Sequence, residues 1–213
     1  MNNLKDYKDN GVVFVDENSV WIEDTVKIGK GTVIEPNVYL KGETEIGENV
    51  TIGFCTEIVN SKICDNVTIK HSVITDSEIG DGTNVGPFAY IRPNCKVGKN
   101  VKIGDFVEIK NSNIDDGTKL AHLTYVGDAD VGKNINFGCG TVVVNYDGQN
   151  KHRTVIEDNA FIGCNTNLVS PVKVGKNAFT AAGSTITEDV PENSLAIARN
   201  RQSVKENWVI KRK

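Results

Sequence analysis

WIEDTVKIGKGTVIEPNVYLKGETEIGENVTIGFCTEI, residues 21–58, carries an aliphatic side chain at every sixth position: Ile22, Ile28, Ile34, Leu40, Ile46, Ile52 and Ile58. Two positions before each lies a small or β-branched residue: Val20, Val26, Thr32, Val38, Thr44, Val50 and Thr56. A period of six excludes a long α-helix, whose apolar face recurs at three and four. It fits a short extended segment followed by a turn. Alternate strand residues share a face, so each aliphatic residue and the one two before it point to the same side. Gly, Asn and Asp just past the aliphatic position suit a tight corner. Three such sides close a coil of about 18 residues, and stacked coils make a parallel β-helix. At ~4.8 Å between neighbouring strands, nine or so coils build a prism of roughly 45 Å. A single coil buries little; stacking joins the coils into a column of Ile and Val. The period leaves the hand of the coil open.

The pattern resumes at Val85, Ile91, Val97, Ile103 and Ile109, at Val131, Phe137 and Val143, and at Ile162, Leu168 and Val174. The steps from Ile58 to Val85, Ile109 to Val131 and Val143 to Ile162 are out of phase. The last contains NYDGQNKHR (145–153), which predicts a loop projecting from the wall. No linker separates the blocks. The reading is one all-β domain, a parallel β-helix over 18–187 with an inserted loop at 145–157, an N-terminal extension at 1–17 and an irregular or helical arm at 188–213. Asn2 to Asn10 predict one or two helical turns stopped by Gly11, and Val12 to Val15 a short strand. Ser203 to Lys213 predict a short helix, with Ser203 as N-cap and Glu206 at N3, covering the last open strand edge.

The net charge of −4 argues against a general nucleic-acid or membrane-surface binder. Cations for one anionic ligand would have to be gathered locally. No apolar run approaches the ~20 residues that span a bilayer, and the polar start NNLKDYKDNG predicts no signal peptide. Five cysteines, at 55, 64, 95, 139 and 164, lack metal-ligand spacing. They read as reduced cytoplasmic thiols serving as small apolar residues, with no metal site.

Leu120 to Lys151 (LAHLTYVGDADVGKNINFGCGTVVVNYDGQNK) is denser in polar and aromatic residues than a β-helix wall requires. It holds His122, one of three histidines, with Tyr125, Tyr146, Asn145 and Lys151. Polar residues so concentrated on a rigid scaffold point to chemistry. Arg92 and Lys110 lie 18 residues apart, one coil, which predicts that they stack on one edge. Two stacked like charges favour an anionic ligand. His71 and His152 read as surface residues.

VGPFAYIRP (85–93), IGDFVEIKNS (103–112), AHLTYVGDA (121–129), NFGCGTVVVNYDGQNK (136–151) and LAIARNRQ (195–202) resemble the C-terminal acetyltransferase half of the bacterial bifunctional N-acetylglucosamine-1-phosphate uridyltransferase/glucosamine-1-phosphate acetyltransferases. The resemblance implies a left-handed hexapeptide-repeat prism. It implies transfer of the acetyl group of acetyl-CoA, as co-substrate, to the amine of glucosamine 1-phosphate, for UDP-N-acetylglucosamine synthesis. It further implies a homotrimer with each active site shared between neighbours. The family's nucleotidyltransferase half has no counterpart in this sequence, so uridyl transfer is not expected of it.

The resemblance also implies roles. His122 matches the general base, for which an imidazole titrating near neutrality is suited. Asn145 matches a partner of amine and base, with simple turn formation as the competing reading. Arg92, Lys110, Tyr125 and Lys151 match the phosphate and sugar contacts, and Glu108 and Asn136 the sugar hydroxyl contacts. Tyr146, Cys139, Cys164, Ala182 and Arg199 match the coenzyme side, where both cysteines depart from the small residues expected. The Cys139 N–H is the candidate oxyanion donor; an acetyl-cysteine intermediate is the rival, with no flanking histidine to activate the thiol. Other functions to weigh are a hexapeptide acetyltransferase acting on another, for example nucleotide-linked, amino sugar and a non-catalytic trimeric scaffold.

Overall fold

The computed structural model describes residues 4–210. The chain winds as a left-handed parallel β-helix. Most strands are only two or three residues long, because each side of the prism ends at a corner. One face is a nine-stranded parallel sheet running from Lys27–Ile28 to Lys173–Val174. The other two faces are joined where Lys102–Lys110 and Lys119–Gly127 run through a corner as nine-residue strands.

Register explains the period. Ile34, Ile52, Ile69, Val85, Ile103, Leu120, Phe137 and Ile162 pair rung to rung, and all are buried. On the next face Leu40, Ile58, Ile74, Ile91, Ile109 and Val126 do the same. Burying one such side chain is worth on the order of 1.5–3 kcal/mol in transfer free energy. Asn49, Asn66, Asn100, Asn134, Asn159 and Asn177 take the corners at φ between 53 and 59°, a region Asn tolerates better than branched residues. Inside the wall, the Thr83 hydroxyl donates to Gly98 O at 2.8 Å and accepts from Val101 N at 3.0 Å, so a buried polar group is satisfied.

The first two phase breaks are not interruptions. Ile58–Ile63, Ile69–Ile74, Ile74–Ile79, Ile109–Ile114 and Val126–Val131 are sides shortened to five residues, and their aliphatic residues stay in register. The third break is a real insertion. The chain leaves the wall after Val142–Val144 and rejoins it at Thr154–Ile156, which pairs with Ala129–Val131.

At the N-terminus Leu4–Asp9 forms a helix, and the Tyr7 hydroxyl donates to Val26 O at 2.6 Å. Met1 to Asn3 lie outside the described residues. Val13–Phe14 pairs with Val33–Ile34, so the ladder reaches into the expected extension. The α-helix expected from Ser203 does not form among the described residues: 201–205 is irregular, 206–209 is a turn, residue 210 has 3-10 conformation, and 211–213 lie outside them. Val204, Val209 and Ile210 are exposed, so no apolar face is buried to support a helix there. It is the earlier part of the arm that covers a strand edge, Leu195–Ala196 pairing with Phe179–Thr180.

Candidate active site

The two long strands create the site. Lys102–Lys110 and Lys119–Gly127 pair in parallel, with Asp105 opposite His122 and Glu108 opposite Tyr125. Both strands turn the corner at a left-handed residue, Phe106 at φ 56° and Leu123 at φ 45°. The strands pack closely at Gly104, where a Cβ would overlap the Ala121 carbonyl. This packing sets Asp105 directly against the imidazole: His122 Nδ1 lies 2.8 Å from Asp105 Oδ1. The hydrogen bond from His122 holds the Asp105 carboxyl below its usual range. An ionised carboxylate only accepts, so Nδ1 carries a proton, and in the neutral imidazole Nε2 keeps its lone pair. Asp105 was not foreseen, although it lies 17 residues before His122, the length of a coil with one five-residue side.

His122 belongs to a ladder column, with Asp105 on the rung before it. Counting from Leu120↔Phe137↔Ile162↔Thr180, it is followed by Cys139, Cys164 and Ala182 on successive rungs. The Arg199 side chain reaches this column, since a Cβ on Gly183 would lie 3.8 Å from its Cδ. Four of the five coenzyme-side residues, Cys139, Cys164, Ala182 and Arg199, thus border the histidine column. The fifth, Tyr146, lies on the inserted loop, its hydroxyl donating to Gly148 O at 2.6 Å.

Beyond the corner, the strand leads to a cationic cluster. Arg92 and Lys110 occupy adjacent rungs, since Ile91 pairs with Ile109 and Arg92 N donates to Ile109 O at 2.8 Å. The Arg92 guanidinium donates to Glu108 Oε1 at 2.8 Å. Lys110 turns toward Lys151; the contact with that amine, followed by desolvation, lowers its pKa. Tyr125 folds over Gly127, where a Cβ would meet its hydroxyl and the Asn145 amide. Beneath lies Asp128, which is buried. It accepts from the Asn111 and Asn145 amides in two short hydrogen bonds. Burial pushes its carboxyl up, but those amides and the Lys110 and Lys151 charges outweigh it and leave it low. Asp128 was also unforeseen, and again the coil length shows it: Asn111, Asp128 and Asn145 are spaced by 17.

The inserted loop carries Lys151 to this place. An antiparallel bridge pairs Tyr146 with Lys151. Asp147 accepts from Asn150 N at 2.6 Å, His152 Nε2 at 2.6 Å and Gln149 N at 2.8 Å, which depress its carboxyl strongly. Arg153 grips Asp130 with Nε at 2.5 Å and Nη2 at 2.6 Å where the loop rejoins the wall. His152, expected as a surface residue, therefore closes the loop.

In one chain the structure brings Arg92, Glu108, Lys110, Tyr125, Asn145 and Lys151 together, and His122 with the cysteine column. It does not join the two groups. The Leu123 corner and then four residues lead from His122 to Gly127, the position opposite Lys110, about 13 Å of extended chain at ~3.3 Å per residue. Asn136 belongs to neither; it pairs with Lys119 and Phe161 on the preceding face.

Next to the histidine column runs an exposed apolar strip. Phe54, His71, Phe88 and Phe106 follow one another with centroid separations of 5.0, 4.5 and 5.4 Å, the first pair edge-on, the second tilted and the third stacked, and Leu123 continues the line opposite Phe106. His71 is thus a member of an aromatic ladder rather than an isolated surface residue. Phe106 and Leu123 are 56% and 57% exposed, too much apolar surface for a solvated corner. Of the cysteines, only Cys95 is buried as a small apolar residue; Cys55 and Cys164 are exposed.

A left-handed coil of hexapeptide sides carrying an imidazole and a cationic pocket defines a hexapeptide-repeat transferase. The family of bacterial transferase hexapeptides (six repeats) matches residues 25–60, 76–111 and 153–188, and the chain belongs to it. Within that family the chain is similar to the bifunctional protein GlmU of Acetivibrio thermocellus, 59% identical over 209 residues, covering 98% of this chain and 45% of that protein. It is likewise similar to the bifunctional protein GlmU of Clostridium kluyveri, 57% identical over 208 residues, covering 98% of this chain and 46% of the relative. The chain therefore spans less than half the length of these curated relatives. Among solved structures, UDP-N-acetylglucosamine acyltransferase from Francisella novicida aligns with a TM-score of 0.53 at 20% identity, over 85% of this chain and 66% of that one. The Arabidopsis UDP-N-acetylglucosamine acyltransferase gives 0.52 at 20%, over 88% and 70%. At such identities these two speak for the fold alone.

Proposed function

We propose that the chain transfers the acetyl group of acetyl-CoA to the amine of glucosamine 1-phosphate, releasing CoA and N-acetylglucosamine 1-phosphate. The observation that carries this reading is the Lys119–Gly127 strand. At one end it sets an imidazole against a carboxylate, and at the other it borders Arg92, Lys110 and Lys151. The similarity to bifunctional GlmU proteins supports the same reaction.

The Nε2 lone pair of His122 removes a proton from the sugar amine as its nitrogen attacks the thioester carbonyl carbon. The oxyanion of the tetrahedral intermediate accepts from the Cys139 N–H, which none of the hydrogen bonds among the described residues uses. Collapse breaks the C–S bond, and the imidazolium returns its proton to the leaving CoA thiolate. Asp105 stabilises that imidazolium. Arg92, Lys110 and Lys151 hold the phosphate, the guanidinium forking its oxygens and the ammonium groups acting as point charges.

The two ends of the strand act on one substrate when copies pack side by side. In this proposal three chains associate, and the Phe54–Leu123 strip is covered at the interface. The histidine column of one copy then faces the cationic cluster of the next.

The test is a free-thiol release assay with acetyl-CoA and each of glucosamine 1-phosphate, glucosamine and UDP-glucosamine. Release with glucosamine 1-phosphate alone is expected. Equal or greater release with UDP-glucosamine overturns the acceptor assignment.

A further inference from the structure

We propose that Cys139 and Cys164 form a dithiol modification site that takes hydroperoxide oxidants, closing to an inter-rung disulfide that switches acetyl transfer off. Each cysteine lies two residues past a paired position, Phe137 and Ile162, so they stand opposite each other on adjacent rungs. Backbone hydrogen bonds hold that register on both sides, from Gly138 N to Ile162 O at 2.7 Å and from Asn165 N to Cys139 O at 2.8 Å. Each is followed by a left-handed corner residue, Gly140 at φ 76° and Asn165 at φ 52°, so the two Cα–Cβ bonds leave the corner side by side. A rung spacing of ~4.8 Å falls inside the ~4.4–6.8 Å window of Cα separations that disulfides span. Cys164 is exposed and Cys139 half-buried, so an oxidant has access.

No other cysteine has such a neighbour. Cys55 follows Ile52, whose rung partners Ile34 and Ile69 have no cysteine after them before the next side; Cys64 faces Gly47 and Gly80, and Cys95 faces Ser77 and Ser112. The pairing is therefore local to the column that contains His122.

The chemistry balances with a peroxide as oxidant. The more exposed Cys164 thiolate attacks a peroxide oxygen, the O–O bond breaks, and a sulfenic acid and hydroxide result. The Cys139 thiolate then attacks that sulfur and expels hydroxide. Overall, two thiols and one hydrogen peroxide give one disulfide and two waters. The disulfide pulls the two rungs' side chains together and displaces the Cys139 turn. The loss of activity rests on the acetyltransferase reading; the cross-link itself does not.

The experiment treats the full chain with hydrogen peroxide, alkylates the remaining thiols, and maps peptides by mass spectrometry. Acetyl transfer is assayed in parallel before and after dithiothreitol. The expected result is one linked peptide pair containing 139 and 164, lighter by two hydrogens, with alkylated cysteines falling from five to three. Activity falls by more than roughly tenfold, as misplacement of a catalytic turn produces, and returns on reduction. Cys164→Ser forms no link, and after peroxide keeps a larger share of its own starting activity than the parent does. Independent oxidation of the two thiols without a link overturns the proposal while leaving the reaction intact. A link with undiminished acetyl transfer overturns the switch. A link in a protein that acetylates no amino sugar overturns the functional reading instead.

Discussion

His122 donates through Nδ1 to Asp105 across two adjacent rungs, at 2.8 Å. Replacing Asp105 with Asn keeps the size but removes the charge that selects the Nδ1–H tautomer. Turnover of Asp105→Asn is expected to fall roughly tenfold or more, with the KM values for both substrates little changed. His122→Ala is expected to lose ~10²-fold or more while the circular dichroism spectrum is retained. Because hydrogen bonding by His122 lowers the Asp105 pKa, the orienting anion is lost only as pH falls through that lowered value. Unchanged turnover in Asp105→Asn removes the carboxylate from the mechanism.

Lys110 and Lys151 crowd their amines together, and that contact lowers the Lys110 pKa. A lowered value means the free protein sheds this proton at a pH where an ordinary lysine keeps it. A bound phosphate dianion reverses the effect, so binding takes up a proton between the lowered value and the ordinary one. Affinity for glucosamine 1-phosphate should therefore weaken as pH rises through that window. Titration calorimetry in two buffers of different ionisation enthalpy measures the uptake. In Lys151→Ala the uptake should vanish and the KM for the sugar phosphate rise by about tenfold or more, as expected for losing a charged hydrogen bond. Equal uptake in both proteins would place the shift elsewhere.

The β-helix could be read from residues 21–58 because six-residue sides impose a repeat that no helix or ordinary sheet shows. The stacking of Arg92 over Lys110 followed from the same counting. The five-residue sides concealed the rest. Asp105 and Asp128 lie one 17-residue coil from their partners, so a strict 18-residue count misses both. The loop was legible as a break, but the bridge that aims Lys151 depends on Asp147, Arg153 and Asp130, which no local pattern links. The C-terminal helix was over-read because capping residues do not substitute for an apolar surface to pack against.

Asp128 is the keystone of the cationic end. In Asp128→Ala the Asn111 and Asn145 amides lose their acceptor and Lys110 and Lys151 their nearby anion. Leaving buried donors unpaired costs about 1–3 kcal/mol, to be seen as a lower urea midpoint. The sign with pH follows from the lowered carboxyl. Its stabilisation is complete above the unfolded pKa, near ~3.9, and fades as pH falls through the folded value. The gap between parent and variant should thus close in acid. A gap that widens in acid would contradict this assignment.

Gly104 controls the approach of the two long strands. In Gly104→Ala the new methyl group overlaps the Ala121 carbonyl, so the rungs bearing Asp105 and His122 must separate. Overpacking of this kind costs about 1–3 kcal/mol. Thermal unfolding should report the loss, and turnover should fall further than in a stability-matched variant at a distant corner.

One chain holds His122 and the Lys110–Lys151 pair apart, which makes sharing between copies a testable geometry. His122→Ala and Lys151→Ala should each be nearly inactive alone. If the base comes from one copy and the phosphate clamp from its neighbour, mixing the variants under subunit exchange creates interfaces where both are intact. Activity should then reappear to a fraction set by the mixing ratio, while a His122→Ala/Lys151→Ala double variant mixed with itself stays silent. Phe106→Glu, which charges the exposed aromatic strip, should reduce the assembly to monomers by light scattering and abolish turnover in the same preparation. Recovery absent from the mixture, with subunit exchange confirmed by mass, would place the base and the clamp in one chain's site and remove the need for a neighbour.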